Sequence, residues 1–88
     1  IEIEDIVQIV KEEVEALSGK EIRDNDENVF FKSNIIDSLN MLHIILFLEQ
    51  KFSVKIDLFF TNRESISSIN KIAKYIKART EDSIDGHS

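Results

Sequence analysis

Apolar residues recur at Ile3, Ile6, Val7, Val10, Val14 and Leu17, a spacing that lines one face of an α-helix. Lysine and acids fill the other face. Ser18-Gly19 supplies a stop, because glycine readily takes the left-handed conformation that closes a helix. The pattern predicts a first amphipathic helix over about Glu2 to Leu17. Lys20 to Ile36 then breaks the period with Asp, Asn and Glu. A connection of that length in a small domain carries function or wraps the core. Val29, Phe30, Phe31, Ile35 and Ile36 are expected to pin it over the helices. A second helix is expected from Asp37-Ser38 to about Phe52, with Asp37 a good cap. Ser53 to Asp57 reads as a short extended turn and Leu58 to Arg63 as one irregular helical turn. Ser65 is a candidate cap for a last helix that carries Ile69, Ile72, Ala73 and Ile76 on one face.

The second helix has more apolar surface than one core needs. On a wheel of about 100° per residue, Met41, Ile44, Ile45, Leu48 and Phe52 share a broad face. Leu39, Leu42 and Leu46 form a second stripe among Asn40, His43, Glu49, Gln50 and Ser53, with Phe47 near its edge. Either the long connection covers this stripe through Phe30 and Phe31, or the stripe meets a partner. The partner reading is preferred, because contiguous exposed apolar patches mark interaction sites.

Composition narrows the class. The chain has 88 residues, no cysteine, no proline and two glycines. One small all-α domain follows, with no disulfide framework and no thiolate metal site. The net charge of -6 argues against nucleic-acid binding, which needs Lys and Arg against phosphates. The longest apolar run, Ile44 to Leu48, is far short of the ~20 residues that span a bilayer. The acidic start, without Met, carries no secretory signal, so a cytoplasmic monomer is expected. Most acids precede Phe30. Lys71, Lys74, Lys77 and Arg79 lie on the last helix, with Lys77 and Arg79 expected near its end. Residues 81–88 are expected to be a disordered tail.

Ser38 stands where the second helix begins. Unpartnered N–H groups and the positive end of the helix dipole favour an attached phosphodiester there. Asp37-Ser38-Leu39 resembles the D-S-L signature of the acyl and peptidyl carrier proteins. Ser33-Asn34-Ile35-Ile36-Asp37-Ser38-Leu39 resembles that family's S-G-L-L-D-S-L loop, and Leu48-Glu49-Gln50-Lys51-Phe52 its L-E-E-x-F. Val54-Lys55-Ile56 resembles its I-x-I, and Ile69 to Ile76 its closing helix. The resemblance spans about Ile3 to Arg79. It implies a small four-helix bundle of three main helices and one short one, occupying residues 1–80. It also implies a 4'-phosphopantetheine arm moved from coenzyme A to Ser38 by a phosphopantetheinyl transferase, with Asp37 and Leu39 beside the attachment point. The arm's thiol would carry cargo as a thioester to separate acyl-loading and acyl-using enzymes, docked on Leu39, Leu42, His43, Leu46, Glu49 and Gln50. The chain itself would not be an enzyme.

Three departures stand out: Asn34 for the family's glycine, Asp57 for a proline, and a docking face made nearly neutral by Asn40, His43, Gln50 and Lys51. Charge on such a face sets on-rate and partner choice, so the neutral face separates this chain from carriers of a standard fatty-acid synthase. The expected role is an acyl carrier of a specialised pathway, or of an aminoacyl or polyketide-like system, rather than of a standard fatty-acid synthase. An unmodified helical adaptor is the alternative, and an aminoacyl or peptidyl carrier of a nonribosomal or D-alanylation-type system stands behind it. Asp24 to Asn28 imitates the opening of a calcium loop, but Val29 replaces the required glycine and Ile35 the bidentate glutamate, so a solvated acidic loop is preferred. Ser38 and His43 point in different directions on one helix, with no orienting acid, which argues against a nucleophile pair. Tyr75 reads as a packing residue with a wet hydroxyl.

Overall fold

The computed structural model describes residues 1–32, 35–57 and 61–85. They form three α-helices, α1 (Ile3–Ser18), α2 (Ser38–Phe52) and α3 (Ile69–Asp85), with a 3-10 turn at Arg63–Ile66 before α3. No strand occurs among the described residues. The all-α expectation and the extents of α1 and α2 therefore hold. α1 packs most extensively on α3, the 3-10 turn lies against α3, and α2 meets α1. The core is continuous. It takes Ile6, Val10 and Val14 from α1, Met41, Ile44, Ile45 and Leu48 from α2, and Ile69, Ile72, Ala73 and Ile76 from α3. Each such side chain contributes roughly 1.5–3 kcal/mol by leaving water.

The long connection wraps the bundle as its apolar anchors require. Val29, Phe30 and Ile36 are buried, and Phe31 and Ile35 pack on the core more shallowly. Ile22, an isolated apolar residue in a polar stretch, is also buried. Backbone bonds stitch the loop to the start of α3: Phe30 N donates to Ser67 O at 3.4 Å and Asn70 N to Asn25 O at 3.0 Å. The acidic segment turns its carboxylates on the chain itself. Asp24 Oδ1 accepts from Asp26 N, and Asp26 Oδ1 accepts from Asn70 Nδ2 at 2.8 Å.

α1 and α2 end by the same device. Gly19 and Ser53 are both left-handed, at φ 71° and φ 56°, and each returns its N–H to a glutamate carbonyl, that of Glu15 or Glu49. The same two glutamates then accept from a backbone N–H seven residues on. Glu15 Oε2 takes Ile22 N and Glu49 Oε2 takes Ile56 N, both at 2.8 Å. Each bond satisfies a donor beside a buried isoleucine and turns the chain back along the helix.

Three expectations change near α3. The helical turn falls at Arg63–Ile66 rather than Leu58 to Arg63, and residues 58–60 lie outside the described residues. Ser65 sits inside that turn and is exposed. The residue that caps α3 is Ser68, fully buried, whose Oγ accepts from Lys71 N at 3.2 Å. α3 runs to Asp85, past Glu81, so Lys77 and Arg79 lie about two turns inside its end rather than at it. Arg79 instead donates to the Tyr75 hydroxyl at 2.9 Å, and that hydroxyl also meets Thr61 Oγ1 at 3.2 Å. Tyr75 thus fastens the segment before the 3-10 turn to α3.

Two stability outcomes follow. Glu49→Ala strands the Ile56 N–H and is expected to lower unfolding free energy by about 1–2 kcal/mol in urea titration. Gln50→Ala, on the exposed neighbour, should change it by less than about 0.5 kcal/mol. Ser53→Gly should raise stability by about 0.5–1 kcal/mol, because Ser53 alone among the described non-glycine residues has positive φ.

Candidate functional site

Asp37 is extended, at φ -88°, and its Oδ1 accepts from Asn40 N at 2.8 Å. That cap fixes where α2 begins, so Ser38 is the first helical residue. Ser38 is exposed, and its hydroxyl makes no hydrogen bond among the described residues. The orphan N–H groups of the first turn lie beside it. An exposed, unspent hydroxyl with partial positive charge around it fits the attachment of a phosphodiester arm. Ser38 and Asp37 line one side of an open hollow of about 450 Å³; Phe30, Phe31, Ile36, Met41 and Leu42 form its apolar floor, and Arg63 closes the rim.

The second stripe of α2 is uncovered. Leu39 is 74% exposed, Leu42 47% and Leu46 50%, the largest apolar exposures on the helix. Phe30 and Phe31, the residues expected to cover them, are turned to the core and to the hollow beside Ser38. Leu39, Asn40, Leu42, His43 and Leu46 line a second shallow hollow. A third, of about 470 Å³, lies between Leu42, Ile45, Leu46 and Glu49 on one side and Lys55, Ile56 and Asp57 on the other. Leu42 borders all three, so the surface from Ser38 to Asp57 is continuous and pivots on that residue.

The polar residues of this face divide. Gln50 is exposed. His43 is exposed too, with Nε2 3.6 Å from Glu13 Oε2 of α1, and is thereby tied to a neighbouring helix. Glu49 is half-buried and spends a carboxylate oxygen on Ile56 N, so it builds the fold as well as facing the surface. Among the described residues no group of three or more His, Cys, Asp or Glu side chains converges to hold a metal ion. Among the described residues no helix is long and apolar enough to cross a membrane.

The chain is 30% identical over 73 residues to a protein named D-alanyl carrier protein from Leuconostoc citreum, covering 78% of this chain and 94% of that protein. The chain belongs to the acyl and peptidyl carrier protein family. A second D-alanyl carrier protein, from Leuconostoc mesenteroides, is 24% identical over 74 residues, covering 84% of this chain and 95% of its own length. No family model matches, and no solved structure matches significantly. Both relatives bear the name of a system that the sequence reading held only as an alternative, and neither name is that of a fatty-acid or polyketide carrier.

Within a carrier protein, a helix apolar on two sides separates fold from surface, and substitution distinguishes them. Leu39→Asp and Leu46→Asp are expected to keep full helicity by circular dichroism and to change stability by about 0.5 kcal/mol or less. Ile45→Asp, one position from Leu46 but buried, should unfold the protein at ordinary temperature, since it places an unpaired carboxylate in the core.

Proposed function

We propose that this protein carries D-alanyl groups as thioesters on a 4'-phosphopantetheine arm attached to Ser38, and that it hands them to partner enzymes without catalysing the transfer. The observation that carries the reading is the free, exposed hydroxyl of Ser38 at the capped start of α2, beside an uncovered leucine stripe. The choice of cargo is supported by the two relatives named D-alanyl carrier protein, each covered over nearly its whole length. The nearly neutral docking face agrees with it, since it lacks the acids by which fatty-acid carriers are steered.

The arm, once attached, supplies the thiol that a cysteine-free chain lacks. The protein's own residues do the rest. Asp37 holds the first turn of α2 and so fixes where Ser38 points. The start of α2 offers N–H groups and positive potential to a phosphodiester. Leu39, Leu42 and Leu46 give a phosphopantetheinyl transferase and the loading and receiving enzymes an apolar landing strip, with His43, Glu49 and Gln50 along its edge. A face of this kind suits brief contacts with several enzymes in turn. Residues 1–80 are read as the carrier domain, acting as a monomer in the cytoplasm, where coenzyme A is available.

Intact-protein mass spectrometry tests the reading. Incubation with coenzyme A and a broad-range phosphopantetheinyl transferase should add one arm to the wild-type chain and none to Ser38→Ala. The modified protein, given D-alanine, ATP and a D-alanine-activating ligase, should gain one alanyl group that hydroxylamine removes. Wild-type protein that a competent transferase leaves unmodified would return the leucine stripe to the adaptor reading. Modified protein that accepts acyl groups but not D-alanine would reassign the cargo alone.

A further inference from the structure

Arg63 lies 25 positions from Ser38 in sequence, yet both line the same hollow. It opens the 3-10 turn, which Asn62 caps by accepting from Glu64 N at 2.9 Å. Its guanidinium is laid over the Phe31 ring, 5.4 Å from the centroid, and makes no ion pair or hydrogen bond among the described residues. Stacking on an aromatic face restrains the group while leaving its N–H donors unspent. The adjacent acid, Glu64, does not compete for it. Glu64 is bonded to Lys71, and that hydrogen bond and charge hold its carboxyl below the usual carboxylate range.

The other charge on the hollow is Asp37. Its carboxylate opposes any anion placed at Ser38, although one oxygen is spent on Asn40 N. A phosphodiester on Ser38 would therefore meet a carboxylate on one flank, and Arg63 is the one cation among the residues lining the hollow. A planar guanidinium can give a phosphate two parallel N–H donors.

We propose that Arg63, restrained on Phe31, is a phosphodiester-binding residue that draws the phosphate of the Ser38-linked arm over the hollow between α2 and the 3-10 turn. The proposal rests on the reading that Ser38 is modified. It makes Arg63 a positioning residue: it fixes the root of the arm and leaves the thiol end free to travel.

The test uses the modified full chain, first verified by mass, and reads the phosphorus NMR resonance. A phosphodiester does not titrate near neutrality, so its shift reports contacts. In the wild-type protein the resonance is expected to be displaced from its value in the urea-unfolded protein. It should move back toward that value as salt is raised to about 1 M, where screening acts within ~3 Å. Arg63→Gln should lose most of the displacement and its salt dependence, and Arg63→Lys should keep part of both. A role confined to packing on Phe31 would alter the unmodified protein's stability without moving the phosphorus signal. An identical, salt-independent resonance in wild type and Arg63→Gln overturns the proposal while leaving Ser38 modification intact. If Arg63→Gln loses helicity, the wild-type salt titration alone decides, and a flat response overturns the proposal. Failure to modify Ser38 at all would remove both readings.

Discussion

α2 must be held from one side only. Its inner face, Met41, Ile44, Ile45 and Leu48, is buried to within a few per cent, while Leu39, Leu42 and Leu46 stand in solvent on the same fifteen-residue helix. An uncovered stripe of leucines is unfavourable in isolation and would be closed over by any loop free to reach it. The described part of the loop that could do so, residues 20–32, is not free. Ile22 is bound through Glu15, Phe30 through Ser67, and Asn25 through Asn70, on α1, α3 and the turn between them. Val29, Phe30 and Ile36 are thus committed to the core, and Phe30, Phe31 and Ile36 reach the surface only in the hollow beside Ser38, which leaves Leu39, Leu42 and Leu46 exposed.

The same economy appears at the end of the stripe. Glu49 lines the hollow beside the stripe and holds Ile56 against the core. Its carboxylate is fixed in place and keeps its charge, while Asn40, His43 and Gln50 beside the stripe carry no formal negative charge. Partners steered by Arg and Lys clusters gain little on-rate from such a surface. Recognition then depends on fitting the leucines and the hollows that Leu42 joins.

Much of this was legible without coordinates, for definite reasons. α1 and α2 have clear helical periods, with a local stop for α1 at Gly19 and a local start for α2 at Asp37, so local rules sufficed. The second stripe followed from the wheel because three leucines cannot share the face of Met41 and Ile44. Ile22 was not legible, since a lone isoleucine among charges carries no period; its signal is the repeated spacing of glutamate, left-handed cap and isoleucine at 15, 19, 22 and 49, 53, 56. The cap of α3 was misplaced because Ser65, Ser67 and Ser68 are all suitable types, and burial chose Ser68. Arg63 could not be found at all, because its nearness to Ser38 arises only when the turn folds against Phe31. Cargo was illegible for a different reason: no residue of the chain encloses a site shaped for it, and the hollows around Ser38 and the stripe are open ones.

On the proposed reading of a D-alanyl cargo, the environment of Ser38 also explains why such a carrier needs so little. A long acyl chain would gain from burial in proportion to its apolar area, whereas an alanyl group offers one methyl, worth roughly 0.8 kcal/mol if wholly buried. Sequestering it would not repay the loss of freedom in the arm. What such a carrier can usefully control is the root of the tether, where every partner must find it in the same place. The capped first turn does this for Ser38, with Asp37 fixing the backbone. On the proposed reading, the charges disposed around the hollow, Asp37 and Arg63, would act on the phosphate rather than on the cargo. Shallow hollows of about 450–470 Å³ with open mouths agree with a tether anchored firmly at one end and left to range at the other.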